Sequence, residues 1–112
     1  MEIDLKKLES ATLFDKFKIQ VYKDFELAGV LECLPTIISN NLSDLQNCFY
    51  NSILKLELSN ALKNLLYRID ITELQIKKAC GNSPETPLQQ VLAELMIKRI
   101  LQKVILKEIY SK

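Results

Sequence analysis

The fold is decided by residues 88–110, which read LQQVLAELMIKRILQKVILKEIY. No proline or glycine interrupts this stretch, and Thr86 and Pro87 before it are typical of a helix start, so we predict one long helix over residues 87–110. The apolar face of this helix changes side in the middle. The first half presents Leu88, Val91, Leu92, Leu95 and Met96, and the second half presents, on the opposite side, Ile97, Ile100, Leu101, Val104 and Ile105.

A straight helix with this change of face must bury one side early and the other side late. A central helix of a single bundle satisfies that requirement, and so does a helix that leaves its own core and packs against a second copy. From the second alternative we predict that the later face is in part the interface of a two-fold homodimer, formed by Ile97, Ile100, Leu101, Val104 and Ile105.

Helical spacing also describes the apolar residues in the rest of the chain, and the strict alternation of a strand persists nowhere. Thr12 is predicted to cap a helix that ends before Pro35, after a short leading helix within residues 1–9. Ser43 and Gln46 have the spacing of a capping box for the next helix. With few glycines and prolines and no evident linker, we predict a single all-α domain over residues 1–112, a bundle of four to six helices.

A second change of face occurs between Leu42 and Ile69. Either the chain breaks near Ser59 and Asn60 or one long helix packs on two sides, and we favour the continuous helix. Thr72 is predicted to cap a short helix that ends at Cys80, because Gly81 supplies a stop.

The composition excludes several classes of function. The chain has a net charge of +1, too small to attract nucleic acid or an anionic membrane by bulk electrostatics. It has no histidine, the commonest general base and transition-metal ligand, so we predict no enzymatic activity, no metal and no other cofactor. Cys33, Cys48 and Cys80 are odd in number and form no C-x-x-C pair, which indicates reduced thiols in a cytoplasmic protein.

We therefore predict a non-enzymatic protein that works by protein–protein contact, either with itself as a homodimer or with another protein as an adaptor. The alternative is a small DNA-binding regulator with a degenerate helix-turn-helix at residues 62–80. In that alternative Gln75, Lys77 and Lys78 are the candidates for contacts with bases and phosphates. The turn position that favours glycine holds Asp70, which makes the motif incomplete.

Arg99, Lys103 and Lys107 recur at every fourth residue of the long helix and form what we call the basic row. A row of this kind could meet phosphate, an anionic lipid surface or an acidic partner, or it could be a solvated face near a helix C-terminus. The same helix carries too many charges to cross a bilayer, so we predict no membrane span.

Overall fold

The computed structural model describes residues 3–110, which form five α-helices and no β-strand. The helices are α1 (Ala11–Leu27), α2 (Leu42–Leu58), α3 (Leu62–Ile69), α4 (Glu73–Asn82) and α5 (Leu88–Tyr110). Two short 3₁₀ turns, Leu5–Glu9 and Leu31–Cys33, flank α1. The predicted all-α bundle with a long C-terminal helix is confirmed. The leading helix predicted within residues 1–9 is a 3₁₀ turn where the structure describes it, and residues 1 and 2 lie outside the described part.

Helix α1 is capped two residues earlier than predicted, at Ser10 and not at Thr12. Ser10 has extended dihedral angles, and its hydroxyl accepts a hydrogen bond from the Leu13 amide at 3.4 Å, so Ser10 is the cap and Thr12 lies inside the first turn. The helix ends well before Pro35, because Gly29 takes a left-handed conformation with φ of 73° that a helix cannot continue through.

Helix α2 is also capped by a different residue from the one predicted. The side chain of Asn41 accepts from the amides of Ser43 and Asp44 at 2.9 and 3.3 Å, so the predicted capping box starting at Ser43 is wrong. Asn41, two residues earlier, satisfies free amides of the first turn, which leaves Ser43 inside the helix.

The continuous helix favoured for residues 42–69 is wrong, because the chain breaks after α2. Asn60 has a φ of 56°, in the left-handed region, and α3 starts two residues later. The break lets two shorter helices turn their apolar faces to the same core, to which α2 contributes Phe49 and Leu56 and α3 contributes Leu65 and Ile69.

Helix α4 confirms the predicted cap and corrects the predicted end. The Thr72 hydroxyl accepts from the Gln75 amide at 3.1 Å, and the Gln75 side-chain oxygen accepts from the Thr72 amide at 2.8 Å, which completes a capping box. The helix continues through Gly81 to Asn82, since Gly81 does not take the positive φ with which a glycine stops a helix.

Helix α5 is the central helix of the bundle and begins at Leu88, one residue after the predicted start. It contacts each of the other four helices. This position accounts for the burial of apolar residues in both halves of the helix. Val91, Leu92 and Met96 of the predicted early face are buried, whereas Leu88 is 47% exposed. The residues predicted as a dimer interface lie accordingly within this chain: Ile97, Ile100, Leu101 and Val104 are buried, and Ile105 is partly buried against the core.

Across residues 3–110, none of the helices combines the length and the apolar character that crossing a bilayer requires.

Candidate functional site

The chain between Leu62 and Asn82, which we call the α3–α4 unit, has the predicted succession of a helix, a tight turn and a capped helix. Asp70 forms the turn in the left-handed conformation, with φ of 71° and ψ of 50°. Aspartate is one of the few residues other than glycine that visit this region, which explains how the turn forms without glycine. Ile71 is buried in the core and Thr72 begins the next helix, so the unit is tied to the bundle through its turn.

An ion pair also ties the turn to α5. The Arg99 guanidinium donates through Nη2 to Asp70 Oδ2 at 3.0 Å and through Nη1 to Gln102 Oε1 at 2.7 Å. These two bonds fix the plane of the guanidinium at the junction of α3, α4 and α5.

Helix α4 lies on the outside of the bundle and buries none of its residues completely. Lys77 and Lys78 are exposed on its outer face together with Leu74, whose exposed fraction is 76%. Gln75 is exposed as well, but its carbonyl oxygen is used in the cap and its side chain borders a cavity toward α5. The three residues predicted to contact nucleic acid are therefore all exposed, and Gln75 differs from the two lysines in bordering the cavity toward α5.

A groove of about 520 Å³ opens between α3 and α4, and we call it the α3–α4 groove. Its floor is apolar and includes Leu66, Ile71 and Ile76, of which Ile76 is the inward residue of α4. Tyr67 stands at its edge with 89% of its surface exposed. Lys63 adds one positive charge to the lining, and Asp70 and Glu73 add two negative charges, of which that of Asp70 is paired with Arg99.

The basic row is largely turned toward its own chain. Arg99 pairs with Asp70, the Lys103 ammonium donates to Asp24 Oδ2 at 2.8 Å, and the Lys107 ammonium donates to Gln20 Oε1 at 2.6 Å. These bonds join α5 to the α3–α4 turn and to α1. The row therefore holds helices together, which differs from both an outward ligand-binding face and a merely solvated face.

Sequence reasoning missed the two acceptors of this row on α1. Gln20 and Asp24 are buried among apolar residues, and the Gln20 amide donates to Asp24 Oδ1 at 3.0 Å. A signal was present, because they follow Phe17 by three and seven residues, the spacing of the face that packs into the core. Two polar residues on that face require polar partners on the helix opposite.

The surroundings of Lys107 also affect its titration. Desolvation lowers the pKa of Lys107, and the nearby positive charges of Lys23 and Lys103 lower it further, while the carboxylate of Asp24 acts in the opposite direction.

The three cysteines do not form a reactive constellation. Cys33 is buried, and Cys48 and Cys80 are partly buried. Burial raises the pKa of the Cys48 thiol, which donates to the carbonyl oxygen of Leu45 at 3.3 Å. Within the described part of the chain, no group of three cysteine, aspartate or glutamate side chains is placed to hold a metal ion.

Comparison with protein-family models, with curated proteins and with solved structures finds no match to this chain. The surface of this protein is therefore what bears on its function, and the α3–α4 unit contributes to that surface a groove with an apolar floor.

Proposed function

We propose that the protein is a non-enzymatic adaptor that binds an acidic, apolar-anchored segment of another protein at the α3–α4 groove. The observation that carries this proposal is the position of Tyr67, a large aromatic side chain almost fully exposed beside a groove with an apolar floor. Tyrosine is enriched among residues that dominate binding energy, because it buries a large area and loses little conformational entropy. An apolar anchor of the partner would enter the groove, and Tyr67 would close over it.

The charges of the α3–α4 unit favour an acidic partner. The unit carries four basic residues, Lys63, Arg68, Lys77 and Lys78, and two acidic ones, Asp70 and Glu73. Asp70 is paired with Arg99, which reduces its effect on an approaching partner. The remaining excess of positive charge would increase the rate at which an acidic segment associates.

A different protein fits this surface better than a second copy of the chain. The change of face in α5, the reason for expecting a homodimer, is accounted for by contacts within one chain. A two-fold dimer also brings the same patch of both subunits together, so a dimer through the α3–α4 unit would place like charges opposite each other.

Site-specific photocrosslinking in the cells that produce the protein tests the proposal. A benzophenone amino acid is introduced in place of Tyr67, and separately in place of Tyr110, which is 80% exposed on α5 outside the groove. We expect one defined adduct with another protein from position 67, absent from position 110 and lost when Lys63→Glu is added. The purified partner should then bind Tyr67→Ala at least tenfold more weakly than it binds Tyr110→Ala. Equal adducts at both positions, or no adduct at position 67, would refute the proposal.

Duplex DNA is the second candidate ligand, because the helix–turn–helix succession is present and Lys77 and Lys78 are exposed on the outer face of α4. Two features of α4 favour a protein instead. Glu73 is the first residue of α4, where a recognition helix approaches phosphates, and Leu74 beside it offers no hydrogen bond to a base edge.

A titration of the whole protein with mixed-sequence duplex DNA at low salt decides between the two ligands. Binding whose salt slope falls by about one for each of Lys77→Ala and Lys78→Ala would support the DNA-binding function. We expect no binding, which would exclude it.

A further inference from the structure

We infer a second binding site, which takes a carboxylate attached to a small apolar group, in a cavity between α4, α5 and the segment before α1. The cavity has a volume of about 230 Å³. Its apolar wall consists of Ile3, Ile71 and Leu95, and its polar rim consists of Gln75, Lys98, Arg99 and Gln102. This site goes beyond the proposed adaptor function and shares only Ile71 with the lining of the α3–α4 groove.

The two glutamines of the rim have already used their carbonyl oxygens. Gln75 Oε1 accepts from the Thr72 amide at 2.8 Å, and Gln102 Oε1 accepts from Arg99 Nη1 at 2.7 Å. These bonds also decide the orientation of each amide, since only an oxygen can accept them. Each carbonyl oxygen is thus directed at its partner within the chain, and each glutamine keeps the two N–H donors of its NH₂ for a ligand.

The two cations of the rim are also donors with capacity left. Lys98 pairs with Glu94 at 2.9 Å, and Arg99 pairs with Asp70 at 3.0 Å, and neither of these acids lines the cavity. An ammonium group has three N–H donors and a guanidinium has five, so one ion pair leaves donors on each. The side chains of the rim are thus all donors, and two of them are charged.

A rim of donors beside an apolar wall selects a ligand with acceptor oxygens, negative charge and an apolar group. A carboxylate meets all three requirements, and its hydrogen bonds to Lys98 and Arg99 would be strengthened by charge. Because Arg99 is already held by Gln102 and Asp70, little conformational freedom would be lost on binding.

The size of the cavity limits the ligand. A volume of 230 Å³ corresponds to about eight water molecules at roughly 30 Å³ each, less than a drug-sized pocket. This volume suits a carboxylate with a short aliphatic chain. The same chemistry occurs in a free small acid and in the C-terminal carboxylate of a peptide that ends in an apolar residue.

NMR titration of the isotopically labelled protein tests the site, with hexanoate as the probe and hexanol as its uncharged match. We expect saturable shifts of the side-chain NH₂ signals of Gln75 and Gln102 and of the Leu95 methyl signals. Hexanol should bind at least tenfold more weakly, because it lacks the charged hydrogen bonds. No saturable shift with hexanoate, or equal affinity for both compounds, would overturn the inference without any variant having to fold.

A pair of lysine variants locates the binding. Lys98→Gln should weaken hexanoate binding roughly tenfold, whereas Lys77→Gln, which removes the same charge from the outer face of α4, should leave it unchanged. Equal effects of the two would contradict the site and indicate general attraction by positive charge.

A peptide ending in leucine with a free C-terminus, compared with its amidated form, identifies the source of the carboxylate. Tighter binding of the free peptide than of hexanoate assigns a protein terminus, and the reverse assigns a small acid.

The result is independent of the adaptor function. Failure of hexanoate to bind leaves the Tyr67 crosslinking result unaffected, and failure of crosslinking leaves the carboxylate titration unaffected.

Discussion

Removal of the lysine that pairs with Asp24 should destabilise the fold far more than removal of an exposed lysine that joins the same two helices. In Lys103→Met the Asp24 carboxylate, which is 0% exposed, loses its ion-pair partner and keeps the hydrogen bond from Gln20 and the more distant positive charge of Lys107. The pair lies between α1 and α5, and the Lys103 side chain is 19% exposed. The carboxylate would therefore stay buried with its charge only partly compensated.

The magnitude follows from this geometry. Breaking a buried ion pair by removing one partner costs about 3–5 kcal/mol. The Gln20 hydrogen bond and the partial exposure of Lys103 favour the lower end, so we expect a loss of about 3 kcal/mol.

The matched control is Lys16→Met. Lys16 joins α1 to Glu108 of α5, and its side chain and that of Glu108 are 42% and 41% exposed, so the loss should stay below about 1 kcal/mol. Both variants remove one positive charge and replace lysine by methionine, so they differ mainly in the burial of the partner. In urea unfolding, a loss of 3 kcal/mol lowers the midpoint by about 2 M at a slope of about 1.5 kcal/mol/M.

A second variant tests whether the loss of stability in Lys103→Met comes from the charge of Asp24. Adding Asp24→Asn to Lys103→Met removes the partly compensated charge and preserves an oxygen that can accept from Gln20. We expect the double variant to be about 1–2 kcal/mol more stable than Lys103→Met alone, since a buried unpaired amide costs less than a buried unpaired charge. Equal midpoints for Lys103→Met and Lys16→Met, or a further loss in the double variant, would refute the reasoning.

Three further predictions concern single positions. Because Asn60 has a φ of 56°, Asn60→Ala should lower the free energy of unfolding by about 1 kcal/mol, whereas Asn60→Gly should not lower it. Equal losses of stability on thermal unfolding would contradict a left-handed turn between α2 and α3. Leu101→Ala should lower the free energy of unfolding by about 2–5 kcal/mol, because it leaves a cavity in the core, and the unfolding midpoint should not change with protein concentration. A midpoint that rises with concentration would place Leu101 in an interface. Because burial raises the pKa of the Cys48 thiol above 9.0, Cys48 should react slowly with thiol reagents near neutral pH. The contribution of the protonated Cys48 thiol to stability should be complete below pH 9.0 and should decline as the pH rises through the folded-state pKa. Cys48→Ala should remove this decline. Rapid labelling of Cys48 in the native protein would contradict the prediction.

The sequence predicts those features of the fold that depend on neighbouring residues. The capping box of Thr72 and Gln75 was predictable because both halves lie within one turn of helix. The length of α5 was predictable because no residue between Leu88 and Tyr110 breaks a helix. In both cases the decisive interactions span no more than a few positions along the chain.

Features that depend on which segments pack against a helix could not be predicted from neighbouring residues. The change of face in α5 requires two covering surfaces, but the apolar spacing is identical whether they come from the same chain or from a second copy. The break at Asn60 had a local signal, since asparagine tolerates left-handed dihedral angles, yet the adjoining stripes were also compatible with one helix packed on two sides. Only the core shared by α2 and α3 decides for two helices.

The basic row of α5 shows why a charge pattern predicts a function poorly until the partners of the charges are known. Lys103 bonds to Asp24, a residue of α1 that is fully buried, so this lysine is committed to the packing of the bundle. Arg99, four residues earlier, bonds to Asp70, whose side chain is 74% exposed, and an ion pair with so exposed a partner contributes about 1 kcal/mol at most. A ligand carboxylate could bind the donors that Arg99 keeps beside Asp70, whereas Lys103 is committed to a buried carboxylate. Members of one evenly spaced row thus differ in their availability to a ligand according to the burial of their acceptors.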